Sequence, residues 1–316
     1  MRITKLLLLL LSALAVGCSS KDEDQRIVLG FSQIGSQGAW RLANTESIKS
    51  AAATSNIDLR FSDAQQKQEN QIAALRQFIA DKVDAIAFAP VVATGWEPVL
   101  KEAKAAGIPV ILTDRTVSAD ASLYAGFLGS DSVEEGRKAA RWVVSRFADD
   151  DTPVNIIELE GTVGAAPASD RKKGFEEIIA QHPNLKILHS EPAGFERAQG
   201  ETVMARLLAA EKRKIHVLFA HNDDMALGAI QAIEAAGLHP GKDILIVSID
   251  AVHAAFEAMI AGKLNASVEC NPLLGPQLMT SVTEVVSGRP ISKRIIVDEA
   301  VFTQDNARQF IQTRKY

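Results

Sequence analysis

The chain has 316 residues, 47% of them hydrophobic and 23% charged, a composition that fits one large globular domain or two of ordinary size. Its net charge of −5 excludes the basic footprint that nucleic-acid binding requires. Two cysteines, Cys18 and Cys270, give no disulfide framework. In chain order, Arg2 and Lys5 precede an apolar run at 6–11, and small residues follow up to Gly17-Cys18. This reads as a secretory signal, too short to stay in a bilayer as a spanning helix. Ala15-Val16-Gly17-Cys18 is similar to the lipobox of bacterial lipoproteins, with Leu14 one position early. Either Cys18 is acylated, or a peptidase cuts nearby and leaves a free protein. Residues 19–25 are a polar tether.

Beyond it, apolar runs and amphipathic segments alternate. Strands are predicted at 26–32, 57–61, 85–89, 110–112 and 124–128, with helices at 39–54, 68–81, 95–106 and after Asp131, a helix cap. Residues 82–115 are the clearest β-α-β unit: Gly107 and Pro109 end its helix, and its second strand runs into Thr113-Asp114-Arg115. The pattern then restarts. Strands are predicted at 154–159, 185–189, 215–219 and 244–249, with helices at 169–181, 197–211, 223–236 and 252–261. A strand at 265–269, a helix at 272–287, an alternating stretch at 295–302 and a helix from Gln304 complete the chain. The fold class is therefore α/β: two doubly wound, parallel-sheet lobes joined by short crossings that act as a hinge.

Neither G-x-G-x-x-G nor G-x-S-x-G occurs, and the loop GLHPGKD (237–243) reads as a helix stop. Six scattered histidines give no metal spacing, so neither metal nor cofactor is expected. Polar residues gather instead at the ends of the predicted strands: Trp40-Arg41, Asp114-Arg115, Asp170-Arg171, His221-Asn222, Asp250 and Glu269. Carboxylates, an amide and guanidinium forks together hold adjacent hydroxyls, and an aromatic face covers the C–H side of a sugar ring. That set suits a neutral polyol. Each residue also has a plainer explanation: Asn222 and Asp250 as helix caps, Trp40 as core, Asp114 and Arg115 as a surface ion pair. Glu158 and Glu160 alternate onto one strand face and are read as surface. His221 and His253 are read as bystanders near the rim, and Cys270 as a packed side chain.

The segments QQKQENQIAALRQFI (65–79), APVVATGWEPVLKEAK (89–104), DRKKGF (170–175) and AHNDDMALGAIQAI (220–233) carry a resemblance spanning the mature chain. It resembles the periplasmic sugar-binding proteins of the ribose/galactose type, the receptors of ABC importers, and among them the galactofuranose-binding members. The resemblance implies a type I periplasmic binding protein fold, closing on a monosaccharide that is handed to a membrane permease. It implies that Asp114 and Arg115 grip ring hydroxyls, that Arg171, Asn222 and Asp250 are second-lobe ligands, and that Trp40, with Arg41 beside it, stacks on the ring. Phe195 matches a second aromatic position and Glu269 a hinge crossing. The lipobox-like Cys18 departs from the family's usual pattern.

The expected organisation is a signal peptide at 1–17, a tether at 18–25, one lobe from 26–129 with 270–298, and another from 130–269 with 299–316. The expected function is a non-enzymatic, monomeric, extracytoplasmic receptor for a furanose-form sugar. A sensor that presents sugar to a chemoreceptor or kinase ectodomain would look nearly the same in sequence. A lac-type repressor would need a helix-turn-helix domain where the signal stands. A glycosidase would need two carboxyls at a defined separation, and no local motif supplies them.

Overall fold

Short, predominantly apolar runs form the middle of both sheets. Ala85–Phe88, Val110–Thr113 and Val217–Ala220 are buried along their whole length, with no alternation of exposed residues. Strands of this kind are covered by helices on both faces, which is what parallel sheets require. A computed structural model describes residues 26–147 and 152–316. The signal, Cys18 and the tether lie outside the described residues.

The first sheet uses β1 (Val28–Gln33), β2 (Asp58–Asp63), β3 (Ala85–Phe88), β4 (Val110–Thr113), β5 (Gly126–Gly129) and β11 (Arg294–Ile296), in the order β11-β5-β4-β3-β1-β2, all parallel. Between these strands run α1 (Ala39–Thr54), α2 (Gln68–Ala80) and α3 (Glu97–Ala105); α9 (Gly275–Val286) packs against α1. The second sheet uses β6 (Val154–Glu160), β7 (Leu185–Pro192), β8 (Val217–Ala220), β9 (Leu245–Asp250), β10 (Ala266–Glu269) and β12 (Val301–Thr303), in the order β12-β10-β9-β8-β6-β7. Only β12 is antiparallel to its neighbour. Its helices are α4 (Ser132–Arg146), α5 (Ala166–Ile179), α6 (Arg197–Ala210), α7 (Asp223–Ala235) and α8 (His253–Ile260), with the short α10 (Ala307–Phe310) near the end. The same order recurs in both sheets: the second strand lies outside the first, and the third to fifth lie on the other side. Each sheet therefore has a switch point beside its first strand, where open α/β sheets bind ligands.

The alternation at 295–302 is not one element. β11 pairs with β5 in the first sheet, whereas β12 pairs with β10 in the second. The residues between them cross over: Val297 N–H donates to the Gly129 carbonyl at 3.1 Å, and Glu269 N–H to the Ala300 carbonyl at 2.8 Å. Among the described residues, three segments thus join the sheets, at 130–131, 270–274 and 297–300. Other predicted bounds shift by a few residues, two of them for a plain reason. α5 starts three residues before the expected 169, with Pro167 in its first turn, where a missing N–H costs nothing. β7 runs on to Pro192 because β6 supplies partners as far as Glu160.

The second lobe's core centres on Phe175 and Phe219, stacked with centroids 4.1 Å apart and both fully buried. Burying each such side chain stabilises the fold by about 1.5–3 kcal/mol. α4 and α5 come unusually close through Gly136 and Gly174. A Cβ at Gly174 would sit 1.9 Å from the Val133 carbonyl oxygen, and one at Gly136 would sit 2.1 Å from that of Arg171. Only glycine permits this approach, and it brings Arg171 of α5 against Glu135 of α4.

Candidate functional site

Two walls face each other across the ends of the strands. From the first lobe, Trp40 stands in the opening turn of α1 and its indole N–H donates to the Cys270 carbonyl at 2.6 Å. Arg41 lies over that indole, 4.5 Å from its centroid, and pairs with Asp114 at 2.7 Å. Its other nitrogen donates to Gln33 Oε1 at 3.2 Å. Arg115 donates to the Val91 carbonyl at 3.0 Å, and its Nε lies 3.7 Å from Asp114, too far for a hydrogen bond. Burial, in the company of Arg41 and Arg171, pulls Arg115 down to about 10 despite the Asp114 carboxylate. The result is a charged guanidinium with a spare donor, buried at the cleft. It is well set to meet an acceptor.

From the second lobe, Arg171 Nε donates to Glu135 at 2.8 Å and Nη1 to the His221 carbonyl at 2.5 Å, while Nη2 lies 4.0 Å from Asp250. Burial works against the Arg171 charge, but Glu135 and Asp250 outweigh it and the guanidinium is held above its ordinary range. Asn222 caps α7, accepting from Met225 N–H at 3.0 Å, and its amide donates to the Phe195 carbonyl at 3.2 Å. The cap explanation for Asn222 is therefore true, and its side chain still lines the cleft. Burial pushes the Asp250 carboxyl well above its ordinary value, with Arg171 opposing and Asp223 and Glu135 adding to the shift. The Phe195 ring sits between two guanidiniums, 5.3 Å from that of Arg115 and 5.8 Å from that of Arg171.

The cleft between these walls has a cavity volume of about 80 Å³. That is well under the several hundred Å³ of sites for drug-sized ligands, so it suits a small solute. Across its mouth, Ala93 N–H donates to the Gly164 carbonyl at 2.8 Å, and Gln66 reaches Glu196 at 3.4 Å. The lobes are closed. Four non-glycine lining residues, Gln66, Asp114, Phe195 and Asp250, have positive φ angles of 60°, 62°, 66° and 127°. Each such backbone costs on the order of 1–3 kcal/mol, and strain of this kind gathers at ligand sites.

Eight of the ten residues expected at the site line this cleft: Trp40, Arg41, Asp114, Arg115, Arg171, Phe195, Asn222 and Asp250. Asp170 does not. Successive helical residues face different ways, so its carboxyl borders a neighbouring pocket with Asp131 and Arg294. Glu269 also turns away, pairing with Arg314 at 2.8 Å and accepting from Ala300 N–H at 3.2 Å. It holds the C-terminal segment against the crossings.

Two further expectations need correction. Glu158 shares its strand face with Glu160, but that face is not surface: Glu158 is fully buried, paired with His221 at 2.9 Å and accepting from Ser190. His221 is not on the rim. It is fully buried, its Nδ1 accepts from Gly161 N–H at 3.3 Å, and its carbonyl anchors Arg171. α5 covers that face of β6, with Lys172 over both carboxylates and Ser190 of β7 beside them, which a single-strand pattern does not reveal. Reading strand ends alone also misses Glu135 and Asp223, which support the cleft from behind. Glu135 lies on the buried stripe of α4 with Ser132, Ala139 and Val143, and a charge at an apolar helical position is the signal that would have found it. Asp223 accepts from Val252 N–H and Ser267, each at 2.8 Å, and from Ser248, and so holds the turn after Asp250.

The family model for the periplasmic binding protein domain matches residues 29–290. The chain belongs to this family. It is 46% identical to the galactofuranose-binding protein of Escherichia coli K12, over 98% of both chains. A crystal structure from Mycobacterium smegmatis in complex with β-D-fucofuranose superposes with a TM-score of 0.89 at 51% identity, covering 92% of this chain and 95% of that one. The periplasmic component of the arabinose ABC transporter of Shewanella sp. ANA-3, bound to α- and β-L-arabinofuranose, gives 0.88 at 47% identity, covering 91% and 95%. The two lobes described above are those of a type I periplasmic binding protein. Among the described residues, no helix of this family member is long and apolar enough to cross a membrane.

Proposed function

We propose that this protein is an extracytoplasmic receptor that encloses one furanose-form monosaccharide, galactofuranose or a close relative, and delivers it to an ABC importer. The observation that carries this reading is the convergence of Arg115 and Asp114 from one lobe with Arg171, Asn222 and Asp250 from the other, around Trp40 and Phe195. Donors and acceptors from both walls reach a ring at once only when the lobes are closed, so the sugar shifts the population toward closure. The jaws are residues 26–129 with 270–298, and 130–269 with 299–316, and the permease reads their closed surface. The relatives named above bind furanose sugars according to their own descriptions, which supports the ring form.

The cleft performs no bond-breaking in this reading. Burial first, then the Glu135 charge, pushes the Cys270 thiol well above its ordinary range, away from the thiolate that a nucleophile needs. The protein acts as a monomer, held at the membrane by a lipid on Cys18. Calorimetric titration with D-galactose, D-fucose and L-arabinose, whose solutions contain furanose forms, tests the ligand. Saturable one-to-one binding with a fall in the scattering radius of gyration is expected. No heat with any of the three, and no closure, would overturn the reading. Mass spectrometry of the membrane fraction tests the lipid.

A further inference from the structure

The three crossings meet at a cluster of ionisable groups behind the cleft, which Cys270 of the cluster also lines. Glu299, on the third crossing, accepts from Ser130 on the first and from Asn271 N–H at 3.0 Å on the second. Lys138 of α4 donates to the Glu299 carbonyl at 2.7 Å. The Glu299 carboxylate, the Cys270 thiol and the Glu135 carboxylate lie within 4.8 Å of one another. Glu135 is fully buried, and its Oε2 takes the Arg171 bond, but Oε1 has no donor. A buried carboxylate oxygen left unpaired is costly, so a donor is expected beside it.

We propose that Glu299 supplies that donor, sharing one proton with Glu135 across the hinge, and that this hydrogen bond positions Arg171 against the sugar. The inference rests on the sugar-binding reading of the cleft. Both walls are tied to this knot: Arg171 through Glu135, and Trp40 through the Cys270 carbonyl. The groups facing Glu299 favour a retained proton. Burial is the largest cause and the Glu135 charge adds to it, against Ser130, Asn271 N–H and Arg171, leaving Glu299 at about 8. Cys270 beside it remains a neutral thiol. Two facing carboxylates that cannot both ionise keep one proton between them. A folded-state carboxyl above its ordinary value binds its proton more tightly than the unfolded chain does. The contribution is therefore present at low pH and lost as pH rises toward and through about 8.

The test measures D-galactose and L-arabinose affinity at about pH 6 and about pH 9.5. Wild type should weaken by about tenfold across that range. Glu299→Gln, whose amide donates at every pH, should change less than about twofold, and Glu299→Ala should bind weakly at both. Parallel profiles for wild type and Glu299→Gln, or an alanine variant as good as the glutamine one, would overturn the proposal. Thermal unfolding without sugar gives a second readout, in which the wild-type midpoint should fall relative to Glu299→Gln as pH rises. Parallel unfolding curves would refute the shared proton even if no sugar bound, whereas absent binding with diverging curves would refute only the cleft's function. Stoichiometric zinc binding that needs Glu299 and flattens the wild-type profile would also overturn it, making Oε1 a cation ligand.

Discussion

The two walls of the cleft are built on different plans. On the first lobe, the polar groups are tied chiefly to each other: Arg41 to Asp114, and Arg115 to Asp114 and the Val91 carbonyl. On the second, they are tied into the fold. Arg171 is clamped by Glu135 and the His221 carbonyl, Asn222 caps α7, and Asp250 ends in a turn pinned by Asp223. A side chain anchored in buried structure keeps its geometry but cannot be lost without harming the core. A pair held by its own mutual attraction can be changed at little cost to folding. Binding and stability should therefore be most separable on the first wall and most tightly coupled on the second where a buried charge is the anchor, at Arg171.

Arg171→Ala should show the largest effect. It leaves Glu135 buried without its partner, a change that destabilises by about 3–5 kcal/mol. Denaturant unfolding should show that loss together with loss of sugar binding; binding lost at unchanged stability would contradict the contrast. Arg115→Ala is its counterpart on the first wall. Calorimetry should show affinity falling by about 1–3 kcal/mol as sugar oxygens lose their donor. Its unfolding midpoint should move much less than that of Arg171→Ala, because the lost guanidinium was already paying for its own burial.

Gly161→Ala sharpens the comparison by moving one wall without removing a polar group. The new Cβ would fall 1.9 Å from the Phe195 ring, which has to leave its place between the two arginines. Overpacking of this kind costs about 1–3 kcal/mol. The loss should appear in affinity and in quenching of the aromatic signal by sugar more than in unfolding. The smallest effect is expected from Asn222→Ala on stability, about 1 kcal/mol for a lost cap, with a larger effect on binding. Unchanged affinity with that loss of stability would mean that the amide serves α7 alone.

Glu158 shows where reading the chain falls short. Alternation along β6 correctly puts Glu158 and Glu160 on one face, but burial of that face depends on α5, Ser190 and His221, the last two 32 and 63 residues away from Glu158. Asp170 shows the same limit at shorter range: its place beside Arg171 in sequence says nothing about which wall of α5 it occupies. Glu269 was legible as part of a hinge crossing, yet its orientation was decided by Arg314, almost at the end of the chain.

The sequence by itself determined the alternation of strands and helices, the two lobes and most of the residues at the strand ends. Apolar runs, caps and helix stops act over a few residues, and parallel strands place their carboxyl ends on one edge by topology alone. Tertiary structure decided which of those residues share the cleft, and which buried charges stand behind them. Glu135, Asp223 and Glu299 matter through contacts made across helices and crossings, and no local spacing encodes a partner that the fold brings from elsewhere in the chain.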